Sequence, residues 1–258
     1  MGVLSAMLAA CGGGGDEDRY VARDVEVLYN LAQDFVDRKR YKLAAAAFDE
    51  VERQHPYSVW ALRAQQMAAF AHYESGSYDD AILAAERFLS LHPGNSSAPY
   101  AYYLIALSHY AQITDIGRDP QATLNARDAL IEVIRRYPES DYARDARLKL
   151  DLTYDHLAGK DMEVGRFYLK RREYLAAAVR FRSVIDNYQT TSHAPEALHR
   201  LVEVNLAMGV EPEAVRIAGV LGANFPGSKW YKYSYDLLQN KGLKPANEGG
   251  WLSDLWPF

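Results

Sequence analysis

Apolar residues recur along this chain at the three- and four-residue spacing of amphipathic helices, in segments that end at regularly placed prolines. A proline one or two residues past a helix stops it, so Pro56 marks the end of a second helix. The first two apolar faces are Leu28, Leu31, Ala32 and Phe35, then Ala44, Phe48 and Val51. The pattern predicts two helices packed as a pair, joined at Arg40 and Tyr41.

The same arrangement returns at a nearly constant interval. Pro93 follows Pro56 by 37 residues, as Tyr78 follows Tyr41, and Pro138 follows Pro93 by 45. We assign the surplus to a loop over 114–121, where the helical period is interrupted, and loops of this kind project from a repeat array. The apolar faces that close the second and third repeats are Ala81, Ala85 and Phe88, then Ala126, Leu130 and Val133.

Two further repeats follow before a last helix. Gln189 stands where the fourth proline is expected, and the extra residues before it keep the helical rhythm, which predicts one long helix from about Tyr142 to Arg171 with Gly159 as its weak point. A fifth repeat ends at Pro226, and a helix near residues 230–239 caps the array. The apolar faces are Ala177, Phe181 and Val184 in repeat 4, and Leu198, Leu201, Ala214, Ala218 and Leu221 in repeat 5.

This pattern of small and large residues before a proline resembles the tetratricopeptide repeat. The fold class we expect is all-α: a right-handed superhelix of about five tetratricopeptide-type helix pairs plus a C-terminal capping helix. Residues 23–139 hold repeats 1–3, and residues 140–240 hold repeats 4–5 and the capping helix. Residues 241–258 form a mobile aromatic tail in this interpretation.

The first helices of such an array line a continuous groove, which is its natural binding site. Tyrosine suits peptide capture there, because it offers contact area at small rotamer cost and a hydroxyl that tolerates water. For any one of these residues, ordinary packing between repeats is the equal alternative. The predicted groove residues are Tyr29, Gln33, Phe70, Tyr73, Tyr100, Tyr103 and Tyr110.

Charge and motifs exclude several function classes. The net charge of −5 carries no basic block, which disfavours nucleic acid as a partner. The sequence contains no nucleophile elbow, phosphate loop, dinucleotide fingerprint or zinc-protease helix, so we expect neither an enzyme nor a metal or other cofactor. His55 and His92 occupy equivalent positions before prolines, and this recurrence favours a structural role.

The N-terminal residues carry the single cysteine. Leu-Ala-Ala-Cys, ending at Cys11 after a short apolar run, resembles the lipobox of bacterial lipoproteins. That resemblance implies a signal segment over 1–10 and N-acyl and S-diacylglycerol groups at Cys11 as the only membrane anchor. Residues 11–22 then form a flexible glycine-rich and acidic tether. The alternative is an unmodified cysteine in an unstructured tail, since the segment lacks a positive n-region.

Lipobox, tether and five repeats together resemble the BamD family of outer-membrane assembly lipoproteins, over about residues 24–238. The resemblance is carried by segments such as Arg-Tyr-Pro-Glu-Ser-Asp-Tyr-Ala at 136–143 and Tyr-Leu-Lys-Arg-Arg-Glu-Tyr at 168–174. It implies a lipid-anchored adaptor on the periplasmic face of the outer membrane, whose C-terminal repeats bind a BamA-type POTRA domain. Its N-terminal groove would take unfolded β-barrel proteins, and other assembly-machinery lipoproteins are further partners. Another periplasmic repeat adaptor, for example in cell-wall coordination, is the alternative.

Overall fold

The structure is a computed structural model that describes residues 23–113 and 120–246. Regular secondary structure in this part of the chain is entirely α-helical. The eleven helices of the described residues are α1 (Val25–Asp37), α2 (Tyr41–Gln54), α3 (Val59–Glu74), α4 (Tyr78–Leu91), α5 (Ala98–Ala111), α6 (Gln121–Arg136), α7 (Asp141–Lys170), α8 (Tyr174–Asn187), α9 (Ala194–Ala207), α10 (Glu211–Asn224) and α11 (Lys229–Gln239).

Each helix packs against the next, and the helices form five pairs from α1 and α2 to α9 and α10. The first helices also contact one another, α1 with α3, α3 with α5 and α5 with α7. The last helix, α11, lies against α9 and α10. This architecture confirms the predicted stack of five helix pairs with a C-terminal capping helix.

The predicted apolar faces form the core, with one exception. Ala44, Phe48 and Val51 on α2 are fully buried. Leu31 was predicted to share the buried face of α1, and that prediction is wrong, because its exposed fraction is 39%. Leu31 lies at the edge of the stripe that Leu28 and Ala32 define, on α1, which among the described helices packs against α2 and α3.

Four of the turns between paired helices use the same left-handed backbone. The residue in this conformation is a glycine in two turns, Gly76 with φ 78° and Gly209 with φ 77°. In the other two it is Lys39 or Arg172, with φ near 60°. Only glycine adopts this conformation without a steric penalty, so the turns of repeats 1 and 4 hold a modest strain that those of repeats 2 and 5 avoid.

The long helix α7 confirms the predicted extension of the fourth repeat. It runs from Asp141 to Lys170 through Gly159 without a break. A second glycine in α7 has a packing role: a Cβ at Gly165 would lie 2.5 Å from Cε1 of Phe181, a fully buried ring on α8. The absence of a side chain at Gly165 is therefore what allows α8 to approach α7.

Some of the sequence predictions lie outside the described residues. These are the signal segment and tether over 1–22, with the acylated Cys11, most of the loop over 114–121, and residues 247–258 of the tail. The first part of the predicted tail is described and lies along α10. Leu243 packs against the C-terminal core, and the backbone N–H of Ala246 donates to the carbonyl of Val215 at 3.1 Å.

Candidate peptide-binding surface

Four tyrosines from three successive first helices come together on the first-helix side of the stack. They are Tyr73 on α3, Tyr100 and Tyr103 on α5, and Tyr142 on α7, called the tyrosine cluster below. The ring centroid of Tyr142 lies 5.8 Å from that of Tyr100 and 5.1 Å from that of Tyr103. Tyr73 lies within electrostatic reach of both α5 rings. All four side chains are half-buried, so each contributes to packing and keeps part of its surface accessible.

A carboxylate and an ammonium group on α7 border the tyrosine cluster. The hydroxyl of Tyr103 donates to Asp145, whose carboxylate also pairs with the Nζ of Lys149 at 2.7 Å. The same Nζ lies 5.9 Å from the ring centroid of Tyr110. Lys149 therefore links Tyr110 to the tyrosine cluster, and its positive charge is balanced locally by Asp145.

Burial and hydrogen bonds shift the pKa values of these side chains. It raises the pKa of Tyr100 to about 12 and also raises that of Tyr73. Burial, followed by the hydrogen bond to Asp145, raises the pKa of Tyr103 well above its usual value. Burial acts to raise the pKa of Asp145 too, but the hydrogen bonds and charge of Lys149, with the bond from Tyr103, outweigh it and lower that pKa. At neutral pH the phenols are neutral, and those of Tyr73 and Tyr100 are able to donate hydrogen bonds to peptide carbonyls, whereas that of Tyr103 donates to Asp145.

Three of the predicted groove residues lie apart from the tyrosine cluster. Tyr29 on α1 packs with its ring centroid 5.4 Å from the buried Phe48 and 4.8 Å from Trp60. Phe70 on α3 meets Tyr41 edge to face at 6.2 Å. The remaining one, Gln33, donates to Asp37 within α1 at 3.1 Å.

The sequence prediction missed Tyr142, Asp145 and Lys149, all on α7. The prediction placed the fourth repeat by counting back from Gln189. It therefore assigned these residues to a helical extension that precedes the repeat. Counting forward from the preceding proline gives their register, since Tyr142 follows Pro138 by four residues as Trp60 follows Pro56. Trp60 is also a missed aromatic, and the guanidinium carbon of Arg63 lies 5.5 Å from its ring centroid.

A second polar group of side chains lies on the C-terminal repeats. Glu196 on α9 pairs with Arg166 of α7 at 3.1 Å and with Arg200 at 3.4 Å. Arg200 also contacts Glu203 at 2.7 Å and lies 5.4 Å from the ring centroid of Trp230 on α11. These contacts tie the capping helix and the long helix to α9.

Neither metal-binding nor membrane-spanning features occur in the described parts of the chain. Residues 23–113 and 120–246 contain no group of three histidine, cysteine or acidic side chains placed to hold a metal ion. Within the same residues, no helix combines the length and apolar character required to cross a bilayer.

Comparisons with known proteins assign the family. Residues 21–218 match the model of the YfiO family, described as an outer membrane lipoprotein. The outer membrane protein assembly factor BamD of Caulobacter vibrioides is 50% identical over 95% of this chain and 81% of that protein. BamD of Rickettsia prowazekii is 43% identical over 92% of this chain and 94% of that protein. A thermophilic tetratricopeptide protein of Thermus thermophilus overlaps 83% of this chain and all of its own, with a TM-score of 0.39 and 18% identity. The chain belongs to the YfiO/BamD family of outer membrane protein assembly factors.

Proposed function

We propose that this chain is a periplasm-facing outer-membrane lipoprotein adaptor of the β-barrel assembly machinery. Its N-terminal repeats bind unfolded barrel substrates, its C-terminal repeats bind a BamA-type insertase through a POTRA domain, and it catalyses no reaction. Family membership supports the general role. The observation that carries the assignment of the substrate surface is the tyrosine cluster.

The chemistry of the tyrosine cluster suits a peptide with aromatic side chains. Tyrosine rings give offset and edge-to-face contacts with a phenylalanine of the ligand. The hydroxyls of Tyr73 and Tyr100 can donate to its backbone carbonyls, since tyrosine is neutral at physiological pH. Half-buried aromatic groups lose little rotamer freedom on binding, which favours affinity.

The substrate surface is tested by titrating a peptide that ends in phenylalanine into the protein, with calorimetry as the readout. We expect Tyr73→Ala combined with Tyr103→Ala to weaken binding at least tenfold, or about 1.4 kcal/mol, while the helical circular dichroism is retained. The matched control is Tyr57→Ala with Tyr233→Ala, which removes two exposed tyrosines away from the cluster. Equal affinity for the wild type and the cluster variant would refute this assignment.

The insertase interface is tested by co-purification from detergent-solubilised membranes followed by lysine-specific cross-linking and mass spectrometry. A BamA-type protein should co-purify, with cross-links at Lys229 and Lys232 on the exposed side of α11. Lys39 and Lys42, at the turn and the start of the second helix in repeat 1, serve as the internal control. Cross-links to the insertase confined to the two control lysines would contradict a C-terminal interface.

The lipid anchor is tested separately at the cysteine. Replacement of Cys11 by alanine should abolish palmitate incorporation and release the protein from the membrane fraction into the periplasm. Fractionation of the variant with the membrane, as for the wild type, would rule out acylation of Cys11 as the anchor.

A further inference from the structure

A cleft lies between α2 and α4, the second helices of repeats 1 and 2, and α3 forms its floor. Its volume is about 670 Å³. Its floor uses Gln65, Ala68 and His72, a different face of α3 from the one that carries Phe70 and Tyr73. This outer cleft is therefore separate from the tyrosine cluster. Its polar walls are Asp49 and Glu52 from α2 and Asp80 and Arg87 from α4.

The floor of the outer cleft holds an acceptor without a donor. Gln65 is 6% exposed, and its Nε2 donates to Oε1 of Glu52 at 3.0 Å. Its own Oε1 is buried and has no hydrogen-bond partner among the described residues. Reversing the amide would place its oxygen against the Glu52 carboxylate, so the present orientation is the favoured one. An acceptor left in this state costs free energy and marks a place where an N–H group is missing.

The charges around this acceptor favour a cation. Glu52 binds the Nη1 of Arg87 at 3.3 Å, and Asp49 lies 3.4 Å from the Nε2 of His72. The other basic residue of the lining, Arg53, pairs with Glu50. The lining thus holds three carboxylates and two arginines, of which Arg87 pairs with Glu52 in the lining and Arg53 with Glu50 outside it. Leu83 and Ala84 add an apolar wall suited to the methylene groups of a long side chain.

We propose that the outer cleft binds the side chain of an arginine presented by a partner polypeptide. The guanidinium replaces Arg87 at Glu52, reaches Asp49, and donates one N–H to the Oε1 of Gln65. Arg87 is free to move, since its side chain is 60% exposed, and its displacement opens the floor to the incoming group. A planar group with five donors matches this set of acceptors better than a point charge does.

The probe is an acetylated and amidated pentapeptide, Gly-Gly-Arg-Gly-Gly, titrated into the full chain and followed by NMR shifts of the Gln65 side-chain amide. We expect saturable binding, weakened at least tenfold when glutamine replaces the arginine of the peptide. Spermidine is titrated in parallel to test whether the outer cleft prefers a small polyamine. Binding of spermidine as tight as that of the peptide would overturn the assignment to arginine.

Two variants that each remove one negative charge provide a matched pair. Glu52→Gln keeps an acceptor for Gln65 but removes the charge in the outer cleft, and we expect at least tenfold weaker peptide binding. Asp34→Asn removes the same charge on α1, outside the outer cleft, where the partner is Arg38 at 2.9 Å, and should leave binding within twofold of the wild type. If both variants weakened peptide binding equally, the effect would come from the overall charge of the protein, and this result would contradict a defined site.

Gln65→Leu tests the role of the buried acceptor separately from that of the carboxylates. Because the variant removes a buried polar atom that lacks a partner, we expect its melting temperature to be equal to or above that of the wild type. Peptide binding should nevertheless weaken several-fold. A stable variant with unchanged affinity would overturn the role of Gln65 in binding.

Discussion

The two halves of the stack bury their apolar side chains in different ways. In the C-terminal half, one core cluster runs from Ala158 to Leu238 and joins α7 through α11. In the N-terminal half, the buried residues fall into three smaller clusters, represented by Phe48, Phe88 and Leu130. A single continuous core thus joins the C-terminal repeats, whereas the N-terminal repeats are held by three separate core clusters.

Half-buried aromatic residues fill the junctions of the N-terminal half. Tyr102 packs against both the Phe88 and the Leu130 clusters, and Tyr100 and Tyr103 each border one of them. These rings therefore contribute to the stack and to its accessible surface at once. The comparison suggests a division of labour in which the C-terminal half is the more cooperative unit and the N-terminal half is the more adaptable binding surface.

The largest effect that tests this comparison comes from a matched pair of core substitutions. Phe48 and Phe181 occupy the same position of a second helix, four residues after an alanine and three before a valine, and both are fully buried. We expect Phe48→Ala and Phe181→Ala each to cost about 3–5 kcal/mol. Hydrogen exchange should accelerate across α7–α11 together in Phe181→Ala and only over α1–α3 in Phe48→Ala. Acceleration throughout the chain in both variants would break the comparison.

A close approach in the C-terminal core gives the next effect. Alanine at Gly165 would place its Cβ against the ring of Phe181, and we expect a net loss of about 1–3 kcal/mol despite the better helix propensity of alanine. Thermal denaturation measures the loss. In the Gly165→Ala background, Phe181→Leu should cost less than it does in the wild type, because the two substitutions relieve the same contact. Additive costs would show that the contact is not tight.

The turns should behave alike in the two halves. Gly76 and Gly209 have the same left-handed backbone, and a Cβ at either meets nothing within 4 Å, so alanine should cost about 1–2 kcal/mol at both from backbone strain alone. Gly94→Ala, which is equally open and has no positive φ, is the control and should change stability by less than about 0.5 kcal/mol. If alanine cost different amounts of stability at Gly76 and at Gly209, the turns would contribute to the difference between the two halves.

A smaller effect arises from two carboxyls, one on α7 beside the tyrosine cluster and one on α9. Contacts with Lys149 and Tyr103 lower the pKa of Asp145, while His199 and Arg200 lower that of Glu203, in each case against the opposing effect of burial. A lowered folded-state pKa stabilises the protein above the unfolded pKa, near 4, and this contribution is lost as the pH falls through the folded value. Denaturant titrations at several acidic pH values should show a shallower loss of stability in Asp145→Asn and in Glu203→Gln. A slope unchanged from the wild type would contradict the pairing.

Much of the fold could be predicted from the sequence because each repeat is stabilised by near neighbours. Ala44, Phe48 and Val51 are buried by helices that follow within one repeat, so local periodicity identifies them. The arrangement of the predicted groove residues was harder to predict, since Tyr100 and Tyr103 pack against Tyr142 of the following repeat. Contacts such as that of Tyr103 with Asp145, 42 residues apart, depend on the register between repeats, which the missing proline at Gln189 obscured.

The proposed substrate-binding surface consists of α3, α5 and the start of α7, which carry the tyrosine cluster. Hydrogen exchange of the full chain, with and without a saturating peptide that ends in phenylalanine, tests it most directly. We expect new protection in α3, α5 and the first half of α7, with α9–α11 unchanged. Protection confined to α9–α11 would contradict it.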